Sequence, residues 1–142
     1  MTTPAISVVM PVYNVETYIA EAIQSVLDQS FSNFELIIVD DGGSDRSIEI
    51  AQSFVDDRIR IIHQANRGLP GARNTGIAHA RAPLIALLDS DDIYHQDKLM
   101  LHHIHMRACP DVGVSYAGSR MIDANGEVMA VSMRPKLTDI SP

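Results

Sequence analysis

Phe34-Glu35-Leu36-Ile37-Ile38-Val39 is a short apolar run, rich in β-branched residues and broken by a single acid. Asp40-Asp41-Gly42-Gly43 closes it. Such a run predicts a strand buried on both faces, and the acids and glycines after it predict a turn. Upstream, residues 5–12 read the same way and stop at Tyr13-Asn14. Between the two runs, residues 16–29 carry Ile19, Ala22, Ile23, Val26 and Leu27 at helical spacing, with Glu16 and Glu21 toward the positive end of the helix. The alternation continues downstream. Asp45 is placed to cap a helix through Ile48, Ala51 and Phe54, and residues 58–63 form a short strand. Pro70 suits the first turn of a helix running to about Ala80. Residues 84–88 form a fourth strand, which ends in Asp89-Ser90-Asp91-Asp92. Residues 95–108 read as a helix stopped by Pro110, and residues 112–116 as a fifth strand. Asp123-Ala124-Asn125-Gly126 supplies a hairpin turn between Met121-Ile122 and residues 128–131. Repeated strand–helix units predict an α/β domain with a mostly parallel sheet, helices on both faces and right-handed crossovers, followed by a C-terminal β-hairpin. The domain is expected to span residues 1–133, with an irregular tail over 134–142.

The chain has 142 residues, 46% of them hydrophobic, which suffices for one domain with a core and argues against disorder. Its net charge of −7 does not suit a sequence-independent nucleic-acid binder, which needs a basic face. Cys109 is the sole cysteine, so no internal disulfide is expected. The longest apolar runs are about seven residues, far short of a bilayer span. The start, Met1-Thr2-Thr3-Pro4, lacks the basic region of a signal peptide. A cytoplasmic protein is expected.

In an open α/β sheet, ligands bind outside the carboxyl ends of the strands. Three strand ends here are polar: Tyr13-Asn14, Asp40-Asp41 and Asp89-Ser90-Asp91-Asp92. With Asp45, they are expected to bring six of the 18 acids to one crevice. Crowded carboxylates repel, and a divalent cation relieves them; oxygen ligands of this kind suit Mg²⁺ or Mn²⁺ with positions left for substrate phosphates. The same Asp-Asp and Asp-Gly pairs also serve as ordinary turn and cap residues. The segment Asn66-Arg67-Gly68-Leu69-Pro70-Gly71-Ala72-Arg73-Asn74 opens a helix, whose N-terminus attracts anions. Arg73 can hold a phosphate there, pair with the aspartates, or remain solvated.

Several chemistries are excluded by motif. No Gly-x-Gly-x-x-Gly follows the first strand, and no Gly-Lys pair exists for a P-loop. Asp89-Ser90-Asp91 does not open an EF-hand, because Tyr94 stands where the loop glycine is required. His102 and His105 share a helix face, but no third metal ligand is evident. A phosphate-handling receiver domain would place acids after the first and third strands, where Asn14 and His63 stand, and a sugar-phosphate nucleotidylyltransferase would need a glycine-rich first loop.

Four ordered stretches resemble family 2 glycosyltransferases, inverting enzymes with a GT-A fold. They are Ser7-Val8-Val9-Met10-Pro11-Val12-Tyr13-Asn14, Glu35-Leu36-Ile37-Ile38-Val39-Asp40-Asp41-Gly42, the segment from Asn66-Arg67-Gly68 through Ala72-Arg73-Asn74-Thr75-Gly76, and Leu87-Leu88-Asp89-Ser90-Asp91-Asp92. One departure is small: the family usually reads Asp-Asp-Gly-Ser, and here Gly43 precedes Ser44. The resemblance implies a nucleoside-diphosphate sugar as donor, with UDP the expected nucleotide. It implies that Pro11, Tyr13 and Glu16 line the base and ribose pocket, that Asp40 contacts the base, and that Asp41 supports the same loop. Arg73 would brace the site, and Asn14 and Ser90 complete the donor set. Asp89-Ser90-Asp91 resembles the DxD motif, so Asp91 is the expected ligand of Mn²⁺ or Mg²⁺, with Asp89 toward the ribose or a metal-bound water and Asp92 nearby.

Inversion further requires a carboxylate base that deprotonates the acceptor hydroxyl. In the family it lies downstream of the DxD region. Asp123 sits in a turn and Asp139 in the tail, so the base is expected beyond Pro142 and this chain is expected to be the donor-binding part of a longer enzyme. The acceptor would be a sugar, a lipid-linked sugar or a protein, in the synthesis of a cell-surface polysaccharide. The enzyme would work in the cytoplasm or at the inner face of the membrane. The alternative is a donor-binding module that has no activity of its own.

Overall fold

The computed structural model describes residues 3–131. In chain order the elements are β1 (Ile6–Val12), α1 (Ile19–Leu27), β2 (Phe34–Asp40), α2 (Ser47–Gln52), β3 (Ile59–His63), α3 (Gly68–Ala78), β4 (Leu84–Leu87), α4 (Lys98–Ala108), β5 (Arg120–Ile122) and β6 (Val128–Val131). The chain divides between Ile104 and His105 into two compact units. In the first, four strands pair in the order β3-β2-β1-β4, all parallel. In the second, β5 and β6 form an antiparallel hairpin. The expected tail over residues 134–142 lies outside the described residues.

β1 and β2 occupy the centre of the sheet and are almost wholly buried, as their unbroken apolar runs require. Ile6, Val8, Met10 and Val12 of β1 share one cluster with Leu36 and Ile38 of β2 and with Ile19, Ala22, Ile23 and Val26 of α1. Ile37 and Val39 point to the other face and pack with Ala72 of α3. On that face α3 lies close against β1. A Cβ built on Gly76 would come within 2.3 Å of Val9 Cγ1, so only glycine admits this approach. β4 is only half-buried. Ile85 and Leu87 are exposed.

Several boundaries differ from the sequence expectation for identifiable reasons. α1 starts at Ile19 instead of residue 16, because Val15 N–H donates to Ser47 Oγ and Glu16 N–H to Asp45 Oδ2. Those bonds tie the lead-in to another loop. Asp45 lies one residue before the capping position of α2, held by Arg46, yet its Oδ1 still accepts from the Ser47 N–H and hydroxyl. α4 begins at Lys98, because Gln29 bridges the lead-in: its Nε2 donates to His95 O and its Oε1 accepts from Leu99 N–H. The strand expected over residues 112–116 is absent. No described strand pairs with it, and Val114 and Tyr116 are exposed. An apolar run becomes a strand only where a neighbour accepts its backbone hydrogen bonds. The hairpin forms as expected, with Gly126 at φ 82° and Asp123 N–H bonded to Glu127 O.

The acid that interrupts β2 is the polar centre of the sheet. Glu35 is 2% exposed. Its carboxylate accepts from Ser7 Oγ (2.7 Å), Arg60 Nη1 (2.9 Å), Arg81 N–H (2.8 Å) and Arg81 Nε (2.9 Å). Burial by itself would raise its pKa. The hydrogen bonds from Ser7, Arg81 and Arg60 outweigh that and hold it at about 2, from an ordinary 4.5. The stabilisation is therefore fully present above pH 4.5 and is lost as pH falls toward 2. Glu35→Gln is expected to cost about 2–3 kcal/mol at neutral pH, since it weakens several charge-assisted bonds at once. Urea unfolding followed from pH 7 down to pH 2 should show the deficit shrinking as the wild-type carboxylate protonates.

Candidate functional site

The carboxyl ends of β1, β2 and β4 open onto one crevice of about 490 Å³. Its walls include Pro11, Tyr13, Asp41, Asn66, Gly68, Asp89, Ser90 and Asp91. Parallel register explains the convergence. Val12 pairs with Asp40, and Asp41 N–H continues the ladder to Val12 O, so Tyr13 and Asp41 emerge side by side. β4 stops earlier, with its last pair at Val9–Leu87. Pro11 therefore lies beyond the end of β4, in the stretch of β1 where the sheet opens.

The first loop is held from behind. Asn14 adopts φ 52°, and its Oδ1 accepts from Ser44 N–H (2.8 Å) and Asp45 N–H (3.3 Å). Gly43 packs directly against it: a Cβ there would lie 3.0 Å from Asn14 Oδ1. The carboxylate of Glu16 accepts from Arg46 N–H at 2.9 Å. Neither Asn14 nor Glu16 is among the residues that line the crevice. Both bind the β1 loop to the β2 loop and so set the position of Tyr13, which is 51% exposed.

The two aspartates at the end of β2 have different surroundings. Asp40 Oδ1 accepts from Gly42 N–H (3.1 Å) and Gly43 N–H (3.4 Å), and its Oδ2 meets His63 Nδ1 (2.9 Å). Asp40 shapes the turn and does not line the crevice. Asp41 is buried yet does line it. Its Oδ1 accepts from Gln64 Nε2 at 2.6 Å and from Arg67 N–H at 2.8 Å.

Across the crevice, Arg73 on α3 donates from Nη2 to Asp89 Oδ1 at 2.6 Å. Among the roles open to it, the structure shows pairing with an aspartate. Its Nε is buried with no partner. Ser90 is buried and Asp91 exposed, and both line the crevice. Asp92 does not line it, but its carboxyl is held above the usual range, first by lost hydration and then by the charges of Asp91 and Asp89. The six acids therefore do not converge as one cluster: Asp40 and Asp45 are spent on loop hydrogen bonds, and Asp41, Asp89 and Asp91 reach the crevice. Among the described residues no three His, Cys, Asp or Glu side chains come together closely enough to hold a metal by themselves. That also applies to the histidines of α4: His105 Nδ1 bonds to Ser115 Oγ, and His103 stacks on Phe31.

Sequence reasoning did not single out Asn66 and Gly68 within their segment, nor Gln64 at all. The strand-end rule would have found Gln64, which directly follows β3.

Residues 7–125 match the family model described as Glycosyl transferase family 2, and the chain belongs to that family. Among curated relatives, it is 53% identical over 91 residues to the uncharacterized glycosyltransferase EpsJ of Bacillus subtilis (strain 168), covering 63% of this chain and 26% of the relative. It is 37% identical over 128 residues to TuaG of the same organism, a putative teichuronic acid biosynthesis glycosyltransferase, covering 87% of this chain and 50% of the relative. The chain thus spans half or less of these relatives. Among solved structures, S. aureus TarS is similar at TM-score 0.67 and 28% identity, covering 72% of this chain and 19% of that one. TarS 1–349 in complex with UDP-GlcNAc superposes at TM-score 0.70 and 23% identity, covering 85% of this chain and 41% of that one. The mannosyltransferase PcManGT from Pyrobaculum calidifontis, in complex with GDP-Man and Mn²⁺, gives TM-score 0.62 and 23% identity, covering 70% and 31%. The fold is GT-A.

Two substitutions test this geometry. Asn14→Ala is expected to lower stability by about 2 kcal/mol, through lost loop hydrogen bonds and a strained positive φ, and Asn14→Gly should recover the strain component. Asp91→Asn removes a like charge beside Asp92, so a carboxyl NMR titration should show Asp92 moving down toward its ordinary value.

Proposed function

We propose that this chain is the donor-binding part of an inverting glycosyltransferase that transfers a monosaccharide from a nucleoside-diphosphate sugar, with UDP as the nucleotide, to an acceptor hydroxyl. The observation that carries the reading is the single crevice in which Tyr13, Asp41, Asp89, Ser90 and Asp91 meet from three strand ends. Tyr13 offers an exposed ring against which a base can stack. Asp41 Oδ1 is occupied by two donors, which leaves Oδ2 to accept a ring N–H of the base. In this reading Asp41 takes the part that the resemblance assigns to Asp40, while Asp40, Asn14 and Glu16 shape the loops around it. Arg73 orients Asp89.

The donor set fits Mn²⁺ or Mg²⁺ in an open site. Asp91 and Asp89 would supply one or two carboxylates, and Asp92, whose carboxyl is raised first by lost hydration and then by the charges of Asp91 and Asp89, adds a third acid beside them. Among the described residues no three-residue cage forms, so such an ion would have to take its other ligands from a diphosphate and water. When bound, the ion supplies Lewis-acid stabilisation of the diphosphate leaving group. The ligands of TarS and PcManGT, UDP-GlcNAc and GDP-Man with Mn²⁺, are of the class proposed here.

The base that deprotonates the acceptor is assigned to none of the described residues. Asp123 Oδ1 accepts from Asn125 N–H and Glu127 N–H, and the backbone bonds from Glu127 and Asn125 lower its pKa, which makes it a poor proton acceptor. We place the base beyond Pro142, so this chain by itself is proposed to bind donor without efficient turnover. The name of TuaG supports a role in cell-surface polysaccharide synthesis, with a sugar, lipid-linked sugar or protein as acceptor. No helix among the described residues is long and apolar enough to cross a membrane, and we propose that the enzyme works in the cytoplasm or at the inner face of the membrane.

Calorimetry of the 142-residue chain with UDP tests the donor site. Binding is expected to weaken at least tenfold when Mn²⁺ is omitted or in Asp91→Asn. Equal affinity with and without Mn²⁺, in a protein shown to be folded, would overturn the metal-bridged reading. Rapid multiple turnover by this chain would overturn the assignment of the base.

A further inference from the structure

We infer that Gln64 is a positioning residue that selects the nucleotide's base by acting through Asp41; the inference rests on the proposal that Asp41 reads that base. Gln64 directly follows β3, and its backbone N–H is held by Asp40 O at 3.0 Å. Its side chain therefore starts from a fixed point beside the two aspartates. Nε2 donates to Asp41 Oδ1 at 2.6 Å, the shorter of the two bonds to that oxygen.

The other end of the same amide shows how the side chain is committed. Gln64 Oε1 is buried and has no hydrogen-bond partner. Turning the amide over would set this oxygen against the Asp41 carboxylate, acceptor facing acceptor. The donor is thus kept on Asp41 at the expense of an orphaned carbonyl, an arrangement that needs a reason. Asp41 provides one, since it is 3% exposed and still forms part of the crevice wall.

The consequence is chemical selection. With Oδ1 filled by Gln64 and by Arg67 N–H, Asp41 presents one oxygen, Oδ2, as an acceptor. A single acceptor matches a base with one ring N–H between two carbonyl groups, as in uracil. Cytosine has an unprotonated ring nitrogen at that position, so acceptor would face acceptor. Guanine presents two adjacent donors and would call on both carboxylate oxygens. By taking up Oδ1, Gln64 favours the first case over the other two.

The test compares UDP with N3-methyl-UDP, which cannot donate from the ring nitrogen, by calorimetry in the presence of Mn²⁺. The proteins are the unmodified chain, Gln64→Met, Asp41→Ala and the double variant, with Gln64→Ala as a second choice if Gln64→Met does not fold by thermal melting. The unmodified chain is expected to bind UDP more tightly than N3-methyl-UDP. Gln64→Met should weaken UDP about tenfold, the scale of one lost charge-assisted hydrogen bond, and leave N3-methyl-UDP unchanged. In the Asp41→Ala background the Gln64 substitution should have no further effect. If Gln64→Met weakens both nucleotides alike, weakens neither, or still acts in the absence of Asp41, the positioning role is wrong. Failure of the underlying reading looks different: the unmodified chain would not distinguish the two nucleotides, or Asp41→Ala would leave their ratio intact.

Discussion

The buried carboxylate of Glu35 takes hydrogen bonds from Ser7 on β1, Arg60 on β3 and Arg81 on the approach to β4, while it sits on β2 itself. One anion thus joins all four parallel strands near their amino ends. A parallel sheet has no hairpin turns to define its register, so an interaction of this kind has unusual leverage. Its two arginines are partly open to solvent, but the carboxylate is not. Removal of the acid would leave two arginines without a shared partner and a polar hole in an apolar strand.

Register at the amino ends determines geometry at the carboxyl ends. Strands rise by a near-constant distance per residue, so aligning Ser7 with Glu35 also aligns Val12 with Asp40. Tyr13 and Asp41 then emerge together, and β4, ending at Leu87, releases the DxD-like loop on the opposite wall. Loop–loop hydrogen bonds through Asn14, Glu16 and Asp45 complete the frame. These polar residues stand behind the crevice wall, as positioning groups usually do in sites built on strand ends.

The electrostatics follow from the same frame. Acids in the first two loops are stabilised as anions by backbone N–H groups, and the loop after β4 carries the crowded negative charge of Asp89, Asp91 and Asp92. Arg73 offsets part of it through Asp89. In the proposed reading, a diphosphate would arrive there accompanied by a cation.

Periodicity and strand-end chemistry made the alternation of elements, the central strands, the hairpin and the motif segments legible, because each depends on neighbours in the chain. The strand expected over residues 112–116 failed because pairing depends on a partner that local pattern does not contain. The same limit applied within the site. Asp40 and Asp41 are adjacent and chemically identical, and strand alternation points their side chains to opposite sides. One was thereby committed to the glycine turn and His63, the other to Gln64, Arg67 and the crevice. The sequence by itself determined which residue types gather at the strand ends and which family they mark. Only the tertiary structure decided which oxygen of which carboxylate is left open, since that depends on donors from loops more than twenty residues away.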